Sequence, residues 1–224
     1  MLNHNFGVNF SIATSLTNRK ISNTVPLLKK IKFPIEYGLS LSHYSRTAPR
    51  DLAPKWGQVF TLTHIYLPSQ QNVSGAIYAF ASNFYFPGLL KNHSFQAGFN
   101  YQDISGAYKG SREIPAVYGY EQIKATSLLK NSLLFNYRFP LAFPDKEFGP
   151  IAYIRNIRAG AFIHYENIGV ENNLSAPKTF GIELRSSMNL LRYQSLADVG
   201  VRVIFVNRKY NLNPLAEFIF NFSL

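Results

Sequence analysis

The chain has 224 residues, of which 46% are hydrophobic, 15% aromatic and 16% charged, a balance that excludes a disordered or fibrous chain. Cysteine is absent, which removes disulfide frameworks, thiolate metal sites and cysteine nucleophiles. A formal charge of +11 would suit a nucleic acid only if it were gathered into a stripe. Here the basic residues are scattered, their tightest group being Lys29, Lys30 and Lys32, so no nucleic-acid partner is expected.

Mean hydropathy is -0.07, and no apolar run approaches the roughly 18 residues of a membrane helix. A barrel strand needs only about 9 to 11 residues, every second one facing lipid, so its hydropathy averages near zero. The first seven residues, Met1 to Gly7, lack the basic, apolar and small-residue segments of a signal peptide, from which we expect a processed chain or a fragment.

Alternation with period two, broken by clusters of Pro, Gly, Asn, Asp and Lys, recurs along the chain. It predicts ten strands, at 5–16, 34–45, 57–67, 74–86, 92–102, 125–139, 157–167, 178–190, 196–207 and 214–224. The strand at 57–67 is ambiguous in phase. In 92–102, His93, Phe95, Ala97, Phe99 and Tyr101 alternate with Ser94, Gln96, Gly98, Asn100 and Gln102. In 196–207, Ala197, Val199, Val201, Val203 and Phe205 oppose Asp198, Gly200 and Arg202. The last strand sets Ala216, Phe218, Phe220, Phe222 and Leu224 against Glu217, Asn221 and Ser223.

A soluble sandwich with its apolar face inward and a membrane barrel with that face outward share this pattern. Three features favour the barrel. The strands exceed the five or six residues usual in soluble sheets. Tyr66, Tyr85, Phe86, Tyr101, Tyr137, Phe139 and Tyr165 fall near strand ends, where interfacial girdles sit. The polar faces carry charges of mixed sign, Lys130, Arg138, Arg158, Glu166, Glu183, Arg185, Asp198, Arg202 and Glu217, as a wet, ion-paired lumen would. The fold expected is an all-β, antiparallel transmembrane β-barrel occupying residues 1–224, in the outer membrane of a bacterium.

With the C-terminus on the periplasmic side, connections 17–33, 68–73, 103–124, 168–177 and 208–213 lie outside, and 46–56, 87–91, 140–156 and 191–195 lie on the periplasmic side. The connection 140–156 is long for a periplasmic turn. Within 103–124, Val117-Tyr118-Gly119-Tyr120 is aromatic and apolar, so it should fold into a lumen. The alternation independently puts Arg158, Phe162, His164 and Glu166 on the lumen face.

Val117-Tyr118-Gly119-Tyr120 resembles the (V/I)-R-G-(F/Y) motif in the sixth extracellular loop of the bacterial surface antigen superfamily, the outer-membrane barrel assembly factors and their transport relatives. The stretches Arg50-Asp51-Leu52-Ala53-Pro54-Lys55-Trp56-Gly57-Gln58, Tyr85-Phe86-Pro87-Gly88-Leu89-Leu90-Lys91-Asn92-His93-Ser94 and Tyr137-Arg138-Phe139-Pro140-Leu141 are similar to that family's barrel-end and turn signatures, and five strands follow the loop, as they should. The resemblance implies the last ten strands of a sixteen-stranded barrel, with six strands and a periplasmic domain upstream, and a role in inserting or translocating proteins or lipids. It also implies a lateral seam between first and last strands, and periplasmic accessory proteins and client proteins as partners beside outer-membrane lipid and lipopolysaccharide.

In the family the loop arginine pairs with an aspartate of an F-x-D segment. Here the matching positions hold Tyr118 and, in Phe162-Ile163-His164, His164. A Tyr118–His164 hydrogen bond or a simple aromatic plug would each fill that role. Phe218, Phe220, Phe222 and Leu224 resemble a C-terminal insertion signal, with Leu224 where Phe is usual. The five histidines show no metal-ligand spacing, no phosphate-binding glycine loop is present, and no nucleophile, base and orienting group converge, so neither cofactor, metal nor enzymatic reaction is expected. A self-contained ten-stranded pore or adhesin is the alternative; its strand at 5–16 would have to pair with 214–224.

Overall fold

A computed structural model describes residues 4–18, 30–48, 50–70, 73–106, 108, 111–120, 128–169, 178–191, 195–207 and 213–222. The chain is all-β, a single antiparallel sheet. Its strands are β1 (His4–Asn18), β2 (Lys30–Ser45), β3 (Gly57–Gln70), β4 (Val73–Pro87), β5 (Ser94–Gly106), β6 (Asn131–Ala142), β7 (Lys146–Phe148), β8 (Ala152–Glu166), β9 (Lys178–Leu190), β10 (Leu196–Val206) and β11 (Leu215–Phe222). Each long strand pairs with its sequence neighbours, and short β7 pairs β8 outside that path. Among the described residues, β1 pairs only with β2 and β11 only with β10, so both end strands present an open edge. Among the described residues no helix is long and apolar enough to cross a membrane.

The structure adds a strand to the ten expected from the sequence. Much of the connection 140–156 is ordered as β structure, because Lys146 to Phe148 turns back to pair with Ile154 to Ala152. That hairpin also moves the start of β8 forward to Ala152, five residues before the expected 157. β6 begins at Asn131 rather than 125 and runs on to Ala142.

Cross-strand register aligns one apolar face across the whole sheet. Phe6, Phe10 and Ile12 of β1 lie over His43, Leu39 and Tyr37. The row continues through Leu62, Phe80 and Tyr101 on β3, β4 and β5, and through Phe95, Tyr137 and Ala161 on β5, β6 and β8. It ends with Leu184, Val201 and Phe218 on β9, β10 and β11. Aromatic stacking knits this face together, as with Phe6 on His43, Phe60 on Phe80 and Phe95 on Phe135.

This apolar face is bare. Phe6 is 78% exposed and Phe218 71%. Most of the buried apolar residues sit on the opposite face, in two clusters. Ile65, Leu67, Ile77 and Ala79 of β3 and β4 pack with Tyr108, Ile114 and Leu129, and Phe162 of β8 packs with Ile204 and Val206 of β10. The first cluster explains the ambiguous phase of 57–67: Phe60, Leu62 and Tyr66 serve the bare face while Ile65 and Leu67 serve the other, so both faces of one strand are apolar.

Candidate functional site: a loop folded onto an arginine network

Residues 111–120 leave β5 and lie across the buried face of the sheet. Lacking a ladder of their own, they have backbone polar groups met by strand side chains. Gln102 of β5 does the most: its Oε1 accepts from the N–H groups of Glu113 (3.0 Å) and Ile114 (3.3 Å), while its Nε2 donates to the carbonyls of Ser111 and Leu129. The Ser132 hydroxyl donates to the Pro115 carbonyl. Glu166 Oε1 accepts from Val117 N–H at 2.7 Å, and His164 Nδ1 from Tyr118 N–H at 3.4 Å. Because Nδ1 accepts, the ring proton of His164 sits on Nε2, which donates to Asn136 Oδ1 at 3.2 Å.

The Tyr118 ring fits a three-sided box. Phe162 meets it edge-on with centroids 4.9 Å apart, His164 lies 4.4 Å away, and the Arg202 guanidinium carbon sits 3.3 Å from the ring centroid. Two glycines make the box possible. Gly119 has φ +78°, a left-handed conformation, and a Cβ there would press Leu215 and Ile204 at 3.3 and 3.4 Å. A Cβ on Gly181 of β9 would lie 2.7 Å from the Phe162 ring, so the bare backbone is what lets that ring lie down.

Below the box runs a connected ion network. Glu183 binds three arginines: Arg138 Nε reaches Oε1 at 3.2 Å, while Arg185 and Arg202 reach Oε2 at 2.7 and 3.0 Å. Arg185 continues to Asp198 Oδ2 at 3.2 Å, where Arg158 also binds at 2.6 Å, and Arg202 continues to Glu217 at 3.1 Å. Glu183 is 6% exposed and Arg202 7%. The antiparallel register makes this possible by setting Arg202 directly opposite both Glu183 and Glu217.

The structure therefore brings Val117, Tyr118 and Gly119 together with Phe162, His164 and Glu166. Tyr118 and His164 meet through a backbone-to-imidazole hydrogen bond and a ring contact, with an arginine from β10 over the tyrosine ring. Tyr120 stacks under the Arg112 guanidinium at 4.9 Å instead of entering the box. Arg158 does not meet the loop; it belongs to the far end of the network, with Asp198, Ser187 and Asn156. Phe218, Phe220 and Phe222 line the bare face of β11, and Leu224 lies outside the described residues.

Sequence reasoning missed Gln102, whose role depends on a loop ten residues away doubling back, and Arg155, which stood in an expected turn. The polar phase of β5 marks Gln102 as facing the loop, but nothing in the sequence marks it as the principal hydrogen-bonding partner. Among the described residues no group of three or more His, Asp or Glu is placed to hold a metal ion. No family model, curated protein or solved structure matches this chain.

Proposed function

We propose that this chain is an outer-membrane β-barrel segment acting in the insertion or translocation of proteins or lipids, with lipid against its bare face and client and accessory proteins at its rims and edges. The observation that carries this reading is the inverted burial of the sheet: exposed phenylalanines on one face, ion-paired arginines on the other beneath a loop. Soluble monomers rarely expose apolar patches above a few hundred Å², and rings such as Phe6, Phe10, Phe99, Phe180, Phe218 and Phe220, at roughly 100 Å² each, exceed that together. Hydrocarbon is a solvent that suits such a face.

Strands of 13 to 16 residues, as in β1–β5, β8 and β9, are long enough for a tilted crossing of about 9 to 11 residues. Trp56 against Phe86 and His93 against Phe139 place aromatic side chains at the end of the sheet opposite the loop, as an interfacial belt would. Unpaired strand edges are not tolerated in hydrocarbon, so in this reading β1 and β11 are covered, and the surface-antigen resemblance implies further strands as their partners. The braced loop keeps the lumen side rigid while those edges exchange partners. The reading assigns no enzymatic reaction.

The test uses vesicles carrying the full chain. Unfolded outer-membrane barrel proteins are expected to fold several times faster in them than in protein-free vesicles, and the chain to fractionate with the outer membrane of its cells. Equal folding rates accompanied by steady single-channel conductance would replace the assembly reading with a self-contained pore.

A further inference from the structure

At the end of the sheet opposite the loop, a cavity of about 420 Å³ opens on the network side between Asp51 and Leu52 of the β2–β3 connection, Arg138, Arg155 and Arg158, and Asp198. We propose that this cavity is a binding site for a phosphate group, carried by a lipid headgroup or free in solution.

Three arginines converge on the cavity, and their charge is not matched by carboxylates. The ion-paired cluster contains Arg138, Arg158, Arg185 and Arg202 against Glu183, Asp198 and Glu217. Arg155 adds a fifth cation at the cavity wall, for which the described residues provide no carboxylate partner. The two acidic residues lining the cavity are already engaged. Asp51 accepts from the Ala48 N–H at 2.8 Å and so holds its own turn, and Asp198 is shared by Arg158 and Arg185.

The position of Arg155 has a local cause. Register along β8 shifts between Ile154 and Asn156, so Arg155 is the extra residue of a bulge with no counterpart on β9. In an unbroken strand counted back from Asn156 and Arg158, residue 155 would fall on the bare apolar face. A bulge re-aims a side chain, and here it delivers a guanidinium to the cavity wall. Arginine suits the ligand because its planar fork donates two parallel hydrogen bonds to phosphate oxygens. The volume accommodates a phosphate group with several waters. The site stands on this geometry alone, whereas a lipid as its source rests on the membrane reading above.

The full chain, folded in uncharged detergent, is titrated with inorganic phosphate by calorimetry, and the same preparation in nanodiscs is assayed for retained lipid by native mass spectrometry. Saturable phosphate binding is expected, weakened about tenfold by Arg155→Gln, a change at an exposed position without an ion pair. Arg46→Gln, on the same connection as Asp51 but away from the cavity wall, should leave it unchanged. Binding absent up to 10 mM phosphate (roughly 2.7 kcal/mol, far below any useful affinity), or equal in wild type and Arg155→Gln, overturns the site. Preferential retention of phosphatidylglycerol over phosphatidylcholine, reduced by Arg155→Gln, assigns the phosphate to a lipid headgroup. Equal retention with phosphate binding intact assigns it to a soluble phosphate and leaves the membrane reading untouched.

Discussion

Glu183 is where the network concentrates its risk, since a single carboxylate pairs with three guanidinium groups from β6, β9 and β10. Breaking a buried pair from one side costs about 3 to 5 kcal/mol because the other charge stays buried, whereas a more exposed pair is worth about 1 kcal/mol or less. Glu183→Gln should therefore lower the unfolding free energy of the detergent-folded chain by about 3 kcal/mol or more, and Glu217→Gln, whose carboxylate serves Arg202 alone, by less than about 1 kcal/mol. Urea titrations of the two variants check the order; equal losses would mean that the cluster is solvated. Tyr118 offers a second test. Tyr118→Ala removes a desolvated cation–π contact worth about 2 kcal/mol and should speed hydrogen exchange of residues 113–118 by roughly 30-fold, while Tyr118→Phe, which keeps the ring, should change it little.

At the scale of strands and loops, a charge placed on the bare face should be costly and the same charge on the network face cheap. Leu184→Arg, mid-strand on the exposed row of β9, is expected to cost about 2 to 4 kcal/mol in a bilayer and almost nothing in the same chain transferred to short-chain detergent. Comparing folding midpoints in the two media checks this; equal small losses would place Leu184 at a water-exposed surface. The strands were largely legible because period-two alternation survives wherever one face is uniformly apolar, as in β5, β10 and β11. Legibility failed where a second demand was laid over that rule. Ile65 and Leu67 had to be apolar to receive Ile114 and Tyr108 beneath the loop, which blurred β3. The bulge at Arg155 shifted the phase of β8 and hid its first five residues in a supposed turn. The Val117-Tyr118-Gly119-Tyr120 stretch was visible as an apolar loop, and alternation put its β8 partners Phe162, His164 and Glu166 on one face, but Arg202, which covers the Tyr118 ring from β10, is distant in sequence and fixed only by register.

For the molecule as a whole, one continuous sheet separates an apolar surface from a charged one, and the loop over the charged side supplies what a second layer would supply in a soluble sandwich. All else in the account depends on which solvent meets the apolar side. Because the chain has no cysteine, single nitroxide labels can be placed one at a time without background. The decisive measurement is the accessibility of labels along β1 (Phe6, Gly7, Val8, Asn9, Phe10) and β11 (Glu217, Phe218, Phe220, Asn221) to oxygen, which partitions into lipid, and to a water-soluble nickel complex, with the full chain in bilayers. The account predicts a ratio that alternates with period two, oxygen prevailing at Phe6, Val8, Phe10, Phe218 and Phe220. Labels at those positions that collide chiefly with the nickel complex, or a ratio without alternation, would contradict it.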